Sequence, residues 1–194
     1  MSTGPPERSR FDDAYEQNAA PWDIGRPQPA LSERADTFRG AVLDAGCGTG
    51  EHALLAASLG LAATGVDASP AAIELARAKA VARGLRATFV VGDATALSGR
   101  FDTVVDSGLF HVLDDADREA FVDGLASVLT RGGRYTMLCF SDRQPGDWGP
   151  RRISRDDLLD SFRDGWRIVS IDPAEFVVRG RDPVKSWLAT VERV

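Results

Sequence analysis

The strongest chemical signal in the sequence is a glycine-rich turn that follows an apolar stretch, with the residues VLDAGCGTGE at positions 42–51. Glycine lacks the Cβ atom that would hold a ligand away from the backbone, and it tolerates the positive φ angles of tight turns. The next apolar stretch ends at Asp67, within GVDAS at 65–69, where a carboxylate can accept hydrogen bonds from both hydroxyls of a ribose. The two features together predict a site for a nucleoside.

The charges around the turn indicate which nucleoside the site binds. Sites for dinucleotides place a pyrophosphate at the helix N-terminus, and their third glycine would fall at position 51, which is Glu51 here. The carboxylates of Glu51 and Asp44 would repel phosphate, but they suit a ligand that carries an ammonium and a sulfonium instead, as S-adenosylmethionine does. A carboxylate at position 51 is also favourable at a helix N-terminus whatever the ligand, so this second interpretation stays open.

Five segments, in order along the chain, resemble the motifs of the class I methyltransferase family. They are LDAGCGTG at 43–50, GVD at 65–67, GDA at 92–94, FDTVVD at 101–106 and LTRGGR at 129–134, the last with Thr130-Arg131 where Arg-Pro or Lys-Pro is more usual. The resemblance implies these contacts to S-adenosylmethionine: Gly46, Gly48 and Gly50 at the methionine moiety, Asp44 at its ammonium, Asp67 at the ribose with Ala68 beside it, Asp93 and Ala94 at the adenine, and Ser107 beside the methionine. For Asp93, an Asx-type turn after a strand is the alternative interpretation.

The segment before the first motif, APWDIGRP at 20–27, is similar to the Pro-Trp-Asp segment of thiopurine, thiol and halide methyltransferases and of related bacterial small-molecule enzymes. In those enzymes the tryptophan lies over the cofactor, which implies the same role for Trp22. An aromatic pocket for a flat apolar acceptor is expected from Phe11, Tyr15, Phe110, His111, Phe140 and Trp148. The alternative is that the aromatic residues near the N-terminus only dock that segment on the sheet.

His111 is the histidine expected near the methyl acceptor. Methyl transfer from a sulfonium is an in-line displacement, so holding the reacting atoms collinear in a dry site supplies most of the rate. A thiolate or halide needs no base, whereas a phenol or alcohol benefits from one, and His111 is the candidate. The alternative is that His111 only shapes the pocket. The sequence therefore predicts a methyltransferase that acts on an O, S or halide nucleophile of a small molecule.

Two other functions fit the glycine-rich turn less well. A nicotinamide-dependent Rossmann oxidoreductase is disfavoured by Glu51 and by the absence of a Tyr-x-x-x-Lys pair from the sequence. A non-methylating cofactor-binding protein on the same fold is not separated from a methyltransferase by sequence alone. Binding of S-adenosylhomocysteine but not of a dinucleotide, together with turnover of labelled methyl groups, distinguishes the three.

Short apolar stretches alternate with amphipathic ones, which predicts repeated βα units. The predicted strands cover 41–45, 62–66, 88–91, 103–106, 135–140, 167–171 and 186–191, with helices from 69, 115 and 154. We expect an α/β, Rossmann-like, doubly wound fold with a mainly parallel seven-stranded sheet and an antiparallel last strand. Residues 1–40 do not fit the βα rhythm, and residues 1–35 are predicted to form an N-terminal helical lid on the methyltransferase domain at 36–194.

The composition suits one globular domain, since 43% of the 194 residues are hydrophobic. The net charge of -6 argues against nucleic acid as a partner. No apolar stretch reaches the length of a membrane span and no secretory signal is evident, so we expect a cytoplasmic protein with no membrane partner, as a monomer or homodimer. Cys47 and Cys139 lack the spacing of metal ligands, and no metal is expected.

Overall fold

A computed structural model describes the chain from Glu7 to Val194, with side-chain surroundings from Phe11 onward. Residues 1–6, the start of the predicted lid, lie outside the described residues. Seven strands form one sheet in the order β3-β2-β1-β4-β5-β7-β6. They are β1 (Ala41–Ala45), β2 (Ala62–Asp67), β3 (Ala87–Val91), β4 (Phe101–Ser107), β5 (Leu129–Phe140), β6 (Trp166–Phe176) and β7 (Val184–Arg193). Only β7 runs antiparallel to its neighbours, which confirms the expected sheet.

Helices lie on both faces of the sheet. They are α1 (Glu7–Glu16), α2 (Pro29–Ser32), α3 (Glu51–Ser58), α4 (Pro70–Arg83), α5 (Asp115–Val128) and α6 (Arg155–Ser161), with short 3-10 turns at Ala35–Thr37 and Ala94–Ala96. Within the described residues, none of these helices combines the length and apolar character needed to cross a membrane.

The helix boundaries follow from local capping. The Ser69 hydroxyl accepts the Ala72 amide at 3.0 Å to begin α4, and Gly84 ends that helix with a φ of 63°. Ser154 and Asp157 form the predicted capping box at the start of α6, with aspartate in the position more often held by glutamate.

Two strands, β5 and β6, extend furthest beyond their predicted bounds. Phe101 pairs with Leu129, and Thr103 with Arg134, so β5 starts before the glycine pair at 132–133 and accommodates it as an irregularity in the ladder. β6 continues to Phe176 although it contains Pro173, because β6 is an edge strand and its outer side needs no amide donor.

The hydrophobic core fills both sides of the sheet. On one side, α5 and α6 pack on the sheet through residues such as Phe121 and Leu158. On the other side, α3 and α4 pack together with Leu31 of the predicted lid and with Phe38 just after it, which are 0% and 7% exposed. The chain from about residue 28 onward is therefore part of the core rather than a detachable cover.

The order of the strands within the sheet determines where a ligand can bind. Because the chain winds one way from β1 to β3 and the other way from β1 to β5, the sheet order reverses between β1 and β4. In doubly wound sheets, ligands bind in the crevice beyond the carboxyl ends of the strands at this reversal. The glycine-rich turn follows β1 and the residues up to His111 follow β4, so both reach this crevice.

Candidate active site

The turn after β1 forms one wall of a small cavity of about 50 Å³. Gly46, Gly48 and Ser107 line it together with residues of the segment before β1. Gly48 has a φ of 51°, and a Cβ atom at this position would lie 2.6 Å from the hydroxyl oxygen of Tyr15. Only glycine permits this close approach between the turn and the lid.

Gly50, which was expected to face the same ligand, packs closely against β3 and α4. A Cβ atom here would lie 2.6 Å from the Phe89 ring and 2.9 Å from the Ala76 side chain. The missing side chain therefore lets α3 and α4 pack on the sheet, and Gly50 does not line the cavity.

Asp44, at the end of β1, is a buried carboxylate with one unpaired oxygen. Its Oδ2 atom accepts the Ala53 amide at 2.9 Å, whereas Oδ1 is fully buried without a hydrogen-bond partner among the described residues. Burial raises the pKa of Asp44 to about 7, and the nearby carboxylates of Asp106 and Asp67 add to the increase. A buried acceptor of this kind is costly unless a donor reaches it.

Asp67, at the end of β2, connects three elements of the crevice. Its Oδ2 accepts the Gly48 amide at 2.7 Å and its Oδ1 accepts the Ser69 amide at 2.9 Å. Asp12 of α1 accepts hydrogen bonds from the Ser69 hydroxyl and the Ala71 amide at the start of α4. Helix α1, part of the predicted lid, therefore docks beside Asp67. The sequence did not indicate this role for Asp12, since its partners are almost sixty residues away.

Asp93 and Ala94 lie after β3, beside the same crevice. The Asp93 Oδ1 atom accepts both the amide and the hydroxyl of Thr95, at 2.9 and 2.8 Å, and caps the 3-10 turn that begins at Ala94. The Asx-type turn that was the alternative interpretation is present. The contact with adenine stays a prediction, and it is compatible with this turn because a carboxylate has several acceptor sites.

Three aromatic residues of the lid lie together over the glycine-rich turn. Trp22 donates its indole N–H to the Tyr15 hydroxyl at 2.8 Å, and the Phe11 and Tyr15 rings pack edge-on against it at 5.4 and 6.0 Å. Tyr15 is 8% exposed, and Tyr15 and Trp22 both line the cavity.

Hydrogen bonds between distant residues tie the lid to the loop after β6. The Gln28 side chain, 2% exposed, donates to the Val177 carbonyl at 2.9 Å and accepts the Val177 amide at 2.8 Å. The Arg179 amide donates to the Pro21 carbonyl at 2.8 Å, and its guanidinium donates to the Ala20 carbonyl. These contacts span about 150 residues of sequence, and no local pattern could have revealed them.

The charge of Glu51 is paired within the protein. Its carboxylate bonds to Lys79 at 2.8 Å and to Arg83 at 2.7 Å. Burial acts to raise the pKa of Glu51, but the hydrogen bonds from Arg83 and Lys79 outweigh it and the pKa is lowered. The expectation that Glu51 repels phosphate therefore needs correction, because its negative charge is neutralised. Thr49, which accepts from Lys79 and donates to Asp23 at 2.9 Å, extends this network to the lid.

His111 lies at the carboxyl ends of β4, β5 and β6 and is 4% exposed. Its Nδ1 atom accepts the Phe140 amide at 2.8 Å, and its ring packs 4.6 Å from Phe140 and 6.1 Å from Phe176. Burial lowers the pKa of His111 to about 3, and the positive charge of Arg152 adds to the decrease. This environment argues against the predicted role as a base, because the imidazole binds a proton weakly and one nitrogen is already occupied.

Aromatic rings and two arginines lie beyond His111. Trp148, in the loop after β5, packs 5.9 Å from Phe140. The guanidinium groups of Arg181 and Arg152 lie 4.4 and 5.7 Å from the Trp148 ring. The surroundings of His111 are therefore aromatic and cationic.

Phe110 does not belong to the pocket, contrary to expectation. It is fully buried on the opposite side, where it stacks on Phe162 at 5.9 Å and lies under the Arg118 guanidinium. Neighbouring residues in a tight turn point in different directions. Asp106 holds that turn, since it accepts the Phe110 amide at 3.0 Å and the Tyr135 hydroxyl at 2.6 Å.

The described residues contain no group of three or more histidine, cysteine, aspartate or glutamate side chains arranged to hold a metal ion. Both cysteines, Cys47 and Cys139, are buried thiols.

Comparisons with known proteins agree with this geometry. Residues 42–133 match the family model described as a methyltransferase domain. A 2-heptyl-1-hydroxyquinolin-4(1H)-one methyltransferase of Mycobacteroides abscessus is 38% identical over 184 residues, which is 90% of this chain and 81% of that protein.

Two solved structures resemble this chain. One, from work on conversion of a disulfide bond into a thioacetal group during echinomycin biosynthesis, is 40% identical, with a TM-score of 0.87 over 97% of this chain and 93% of that one. An S-adenosylmethionine-dependent methyltransferase of Methanosarcina mazei shares the fold, with a TM-score of 0.75 and 20% identity over 87% of this chain and 99% of that one. The chain belongs to the class I S-adenosylmethionine-dependent methyltransferases.

Proposed function

We propose that this enzyme transfers the methyl group of S-adenosylmethionine to an ionised oxygen on a flat heteroaromatic small molecule. The observation that carries the proposal is the acceptor end of the site, which holds aromatic rings and arginines around a histidine that is a weak base. An acceptor that is already an anion needs no base and is stabilised by nearby positive charge.

The residues after β1 and β2 fit S-adenosylmethionine, which supplies a methyl group on a positively charged sulfur. The unpaired Oδ1 of Asp44 would be satisfied by the cofactor's ammonium, which would also keep this carboxylate ionised. Each oxygen of Asp67 accepts one hydrogen bond within the protein and retains a further lone pair for a ribose hydroxyl. Asp93 and Ala94 are our candidates for the adenine edge, and Ser107 for the methionine.

The lid controls access in this proposal. A cavity of about 50 Å³ has room for one or two water molecules but not for a nucleoside. Tyr15 and Trp22 therefore move aside when the cofactor enters, and then cover it and exclude water. The lid contacts of Thr49 and Gln28 favour the covered arrangement.

The enzyme's own contribution to the reaction is then position and electrostatics. The turn held by Asp106 and Tyr135 fixes Ser107 and His111 at the carboxyl end of β4. The aromatic face of Trp148 suits a planar ring, and Arg152 and Arg181 favour a negative charge on it. An electron pair of the acceptor oxygen forms the new bond to the methyl carbon. The carbon–sulfur bond breaks at the same time, and the electron pair of that broken bond stays on sulfur.

The Mycobacteroides abscessus relative indicates a suitable acceptor, since it is a methyltransferase of a quinolone with a hydroxyl on the ring nitrogen. We therefore propose N-hydroxy heteroaromatic compounds as the first class to test. The assay measures transfer of labelled methyl groups to 1-hydroxyquinolin-4(1H)-one, with 4-quinolone lacking the hydroxyl, an alkyl alcohol, thiophenol and iodide in parallel.

The expected result is methylation of the N-hydroxy compound, with none of the 4-quinolone or the alcohol. Its rate should rise with pH only until the acceptor itself is ionised. Preferred turnover of thiophenol or iodide would reassign the enzyme to sulfur or halide acceptors, and efficient methylation of the alcohol would require a base that this site does not provide.

A further inference from the structure

We propose that His111 determines acceptor specificity by donating its Nε2–H to an oxygen of the acceptor, instead of removing a proton from it. This inference rests on the proposed function, because it concerns how the same site recognises an oxygen-containing acceptor. It assigns to His111 a role that neither a base nor a residue that only shapes the pocket would have.

The backbone determines where the proton of the imidazole lies. The Phe140 amide donates to Nδ1 at 2.8 Å, so Nδ1 must carry a lone pair. A neutral imidazole has one N–H, and it is therefore on Nε2. The ring cannot turn over without leaving the Phe140 amide unpaired inside the protein.

Packing holds the ring in this orientation. The Phe140 and Phe176 rings lie 4.6 and 6.1 Å from it, and the residue is 4% exposed. Both phenylalanines end strands that point into the crevice, so the imidazole is clamped at the acceptor end. A donor held in a single direction discriminates between ligands better than a flexible one does.

The Nε2 edge faces Gly108, the residue that follows Ser107 in the cavity wall. A Cβ atom at Gly108 would lie 3.3 Å from Nε2, so glycine keeps the approach to this atom open. Nε2 has no hydrogen-bond partner among the described residues, yet it is not one of their fully buried unpaired polar atoms, so part of this atom stays accessible. An acceptor oxygen in the crevice would pair with this N–H.

The charged group that faces the ring is Arg152, whose guanidinium lies 5.4 Å from the Phe140 ring. Burial and this positive charge keep the pKa of His111 near 3, so the imidazole stays neutral and keeps its Nε2 proton throughout the physiological range. The hydrogen bond is strongest while the acceptor oxygen carries its full negative charge. It weakens as that charge is lost to the new bond, so it contributes to acceptor binding and hence to KM more than to kcat.

The test uses two variants, and each retains one of the two hydrogen-bonding functions of the imidazole, the acceptor at Nδ1 or the donor at Nε2. His111→Asn can still accept the Phe140 amide through its side-chain oxygen, but it is too short to present a donor where Nε2 lies. His111→Gln reaches that position with an amide donor. Steady-state kinetics with 1-hydroxyquinolin-4(1H)-one, melting temperature and S-adenosylhomocysteine affinity are measured for all three proteins.

We expect His111→Asn to raise the KM for the N-hydroxy acceptor by roughly 10- to 100-fold, the range for losing a hydrogen bond to a charged group, with kcat changed less than fivefold. His111→Gln should recover part of the loss. The melting temperature and S-adenosylhomocysteine affinity should stay close to those of the original protein. An unchanged KM in His111→Asn would overturn the proposal. So would a pH–rate profile of the original protein that shows an ionisation near 6.5, the ordinary pKa of histidine, if that ionisation disappears in His111→Asn.

A spectroscopic measurement separates this inference from the proposed function. In protein labelled with ¹⁵N-histidine, the His111 signals should show a protonated Nε2 and an unprotonated Nδ1 from pH 5 to 8. A proton on Nδ1 refutes the inference whatever the enzyme methylates. If Nε2–H is found but no N-hydroxy acceptor is methylated, the proposed function fails and this ligand assignment fails with it, while the orientation of the ring stands.

Discussion

Replacing Gln28 by alanine removes two hydrogen bonds that connect the lid to the loop after β6. Both partners are backbone groups of Val177, at 2.9 and 2.8 Å, and the Gln28 side chain is 2% exposed. A buried hydrogen bond is worth about 1 kcal/mol net, and leaving the Val177 amide and carbonyl unpaired adds to the loss. We expect the lid to be destabilised by about 2 to 3 kcal/mol, which is roughly a 30- to 150-fold change in its opening equilibrium.

Amide hydrogen exchange measures this opening directly. In Gln28→Ala, amides between about residues 15 and 28 should exchange 30- to 150-fold faster, whereas amides of β1, β4 and β5 should change little. S-adenosylhomocysteine should suppress the difference if the lid closes over the cofactor. Gln144→Ala is the matched control, because its side chain also accepts a backbone amide, that of Lys185 at 2.8 Å, but outside the lid.

Two results would refute this reasoning. If exchange accelerated equally in the lid and in the central strands, the segment would unfold only with the whole domain and would not act as a lid. If Gln144→Ala accelerated exchange between residues 15 and 28 as much as Gln28→Ala does, the effect would not come from the contact with Val177.

Three further predictions concern the cofactor end of the site. Asp67→Ala should weaken S-adenosylhomocysteine binding by roughly 10- to 100-fold in calorimetry, because it removes the candidate ribose acceptor, and unchanged affinity would remove Asp67 from the site. Gly48→Ala should lower cofactor affinity and slow turnover, since a methyl group would collide with the Tyr15 hydroxyl on a backbone of positive φ; normal kinetics in this variant would contradict the close approach. Burial raises the pKa values of Asp44 and Asp106 to about 7 and about 6, so their contribution to stability is fully present below pH 4 and is lost as pH rises to about 7. Asp44→Asn should therefore flatten the fall in melting temperature between pH 5 and 8, and an identical profile would show that Asp44 does not titrate in this range.

The positions of the strands along the chain, the glycine-rich turn and the acidic end of β2 could be predicted from the sequence because they are local patterns. Strands alternate with amphipathic helices, Gly48 lies between an apolar strand and a helix, and Asp67 ends the next strand. Each of these features depends on neighbouring residues and on the backbone geometry that those residues permit. Ser69, Gly84 and Asp157 likewise mark helix ends through contacts within a few positions.

The directions of side chains and the contacts between distant segments were decided only by the tertiary structure. Phe110 and His111 are adjacent, yet one packs in the core under α5 and the other faces the crevice, because Asp106 holds the turn in a conformation that separates them. The tautomer of His111 depends on the Phe140 amide, 29 residues away, and the position of the lid depends on Gln28 reaching across 149 residues. Such contacts form when the sheet brings strand ends together, and no periodicity along the chain encodes them.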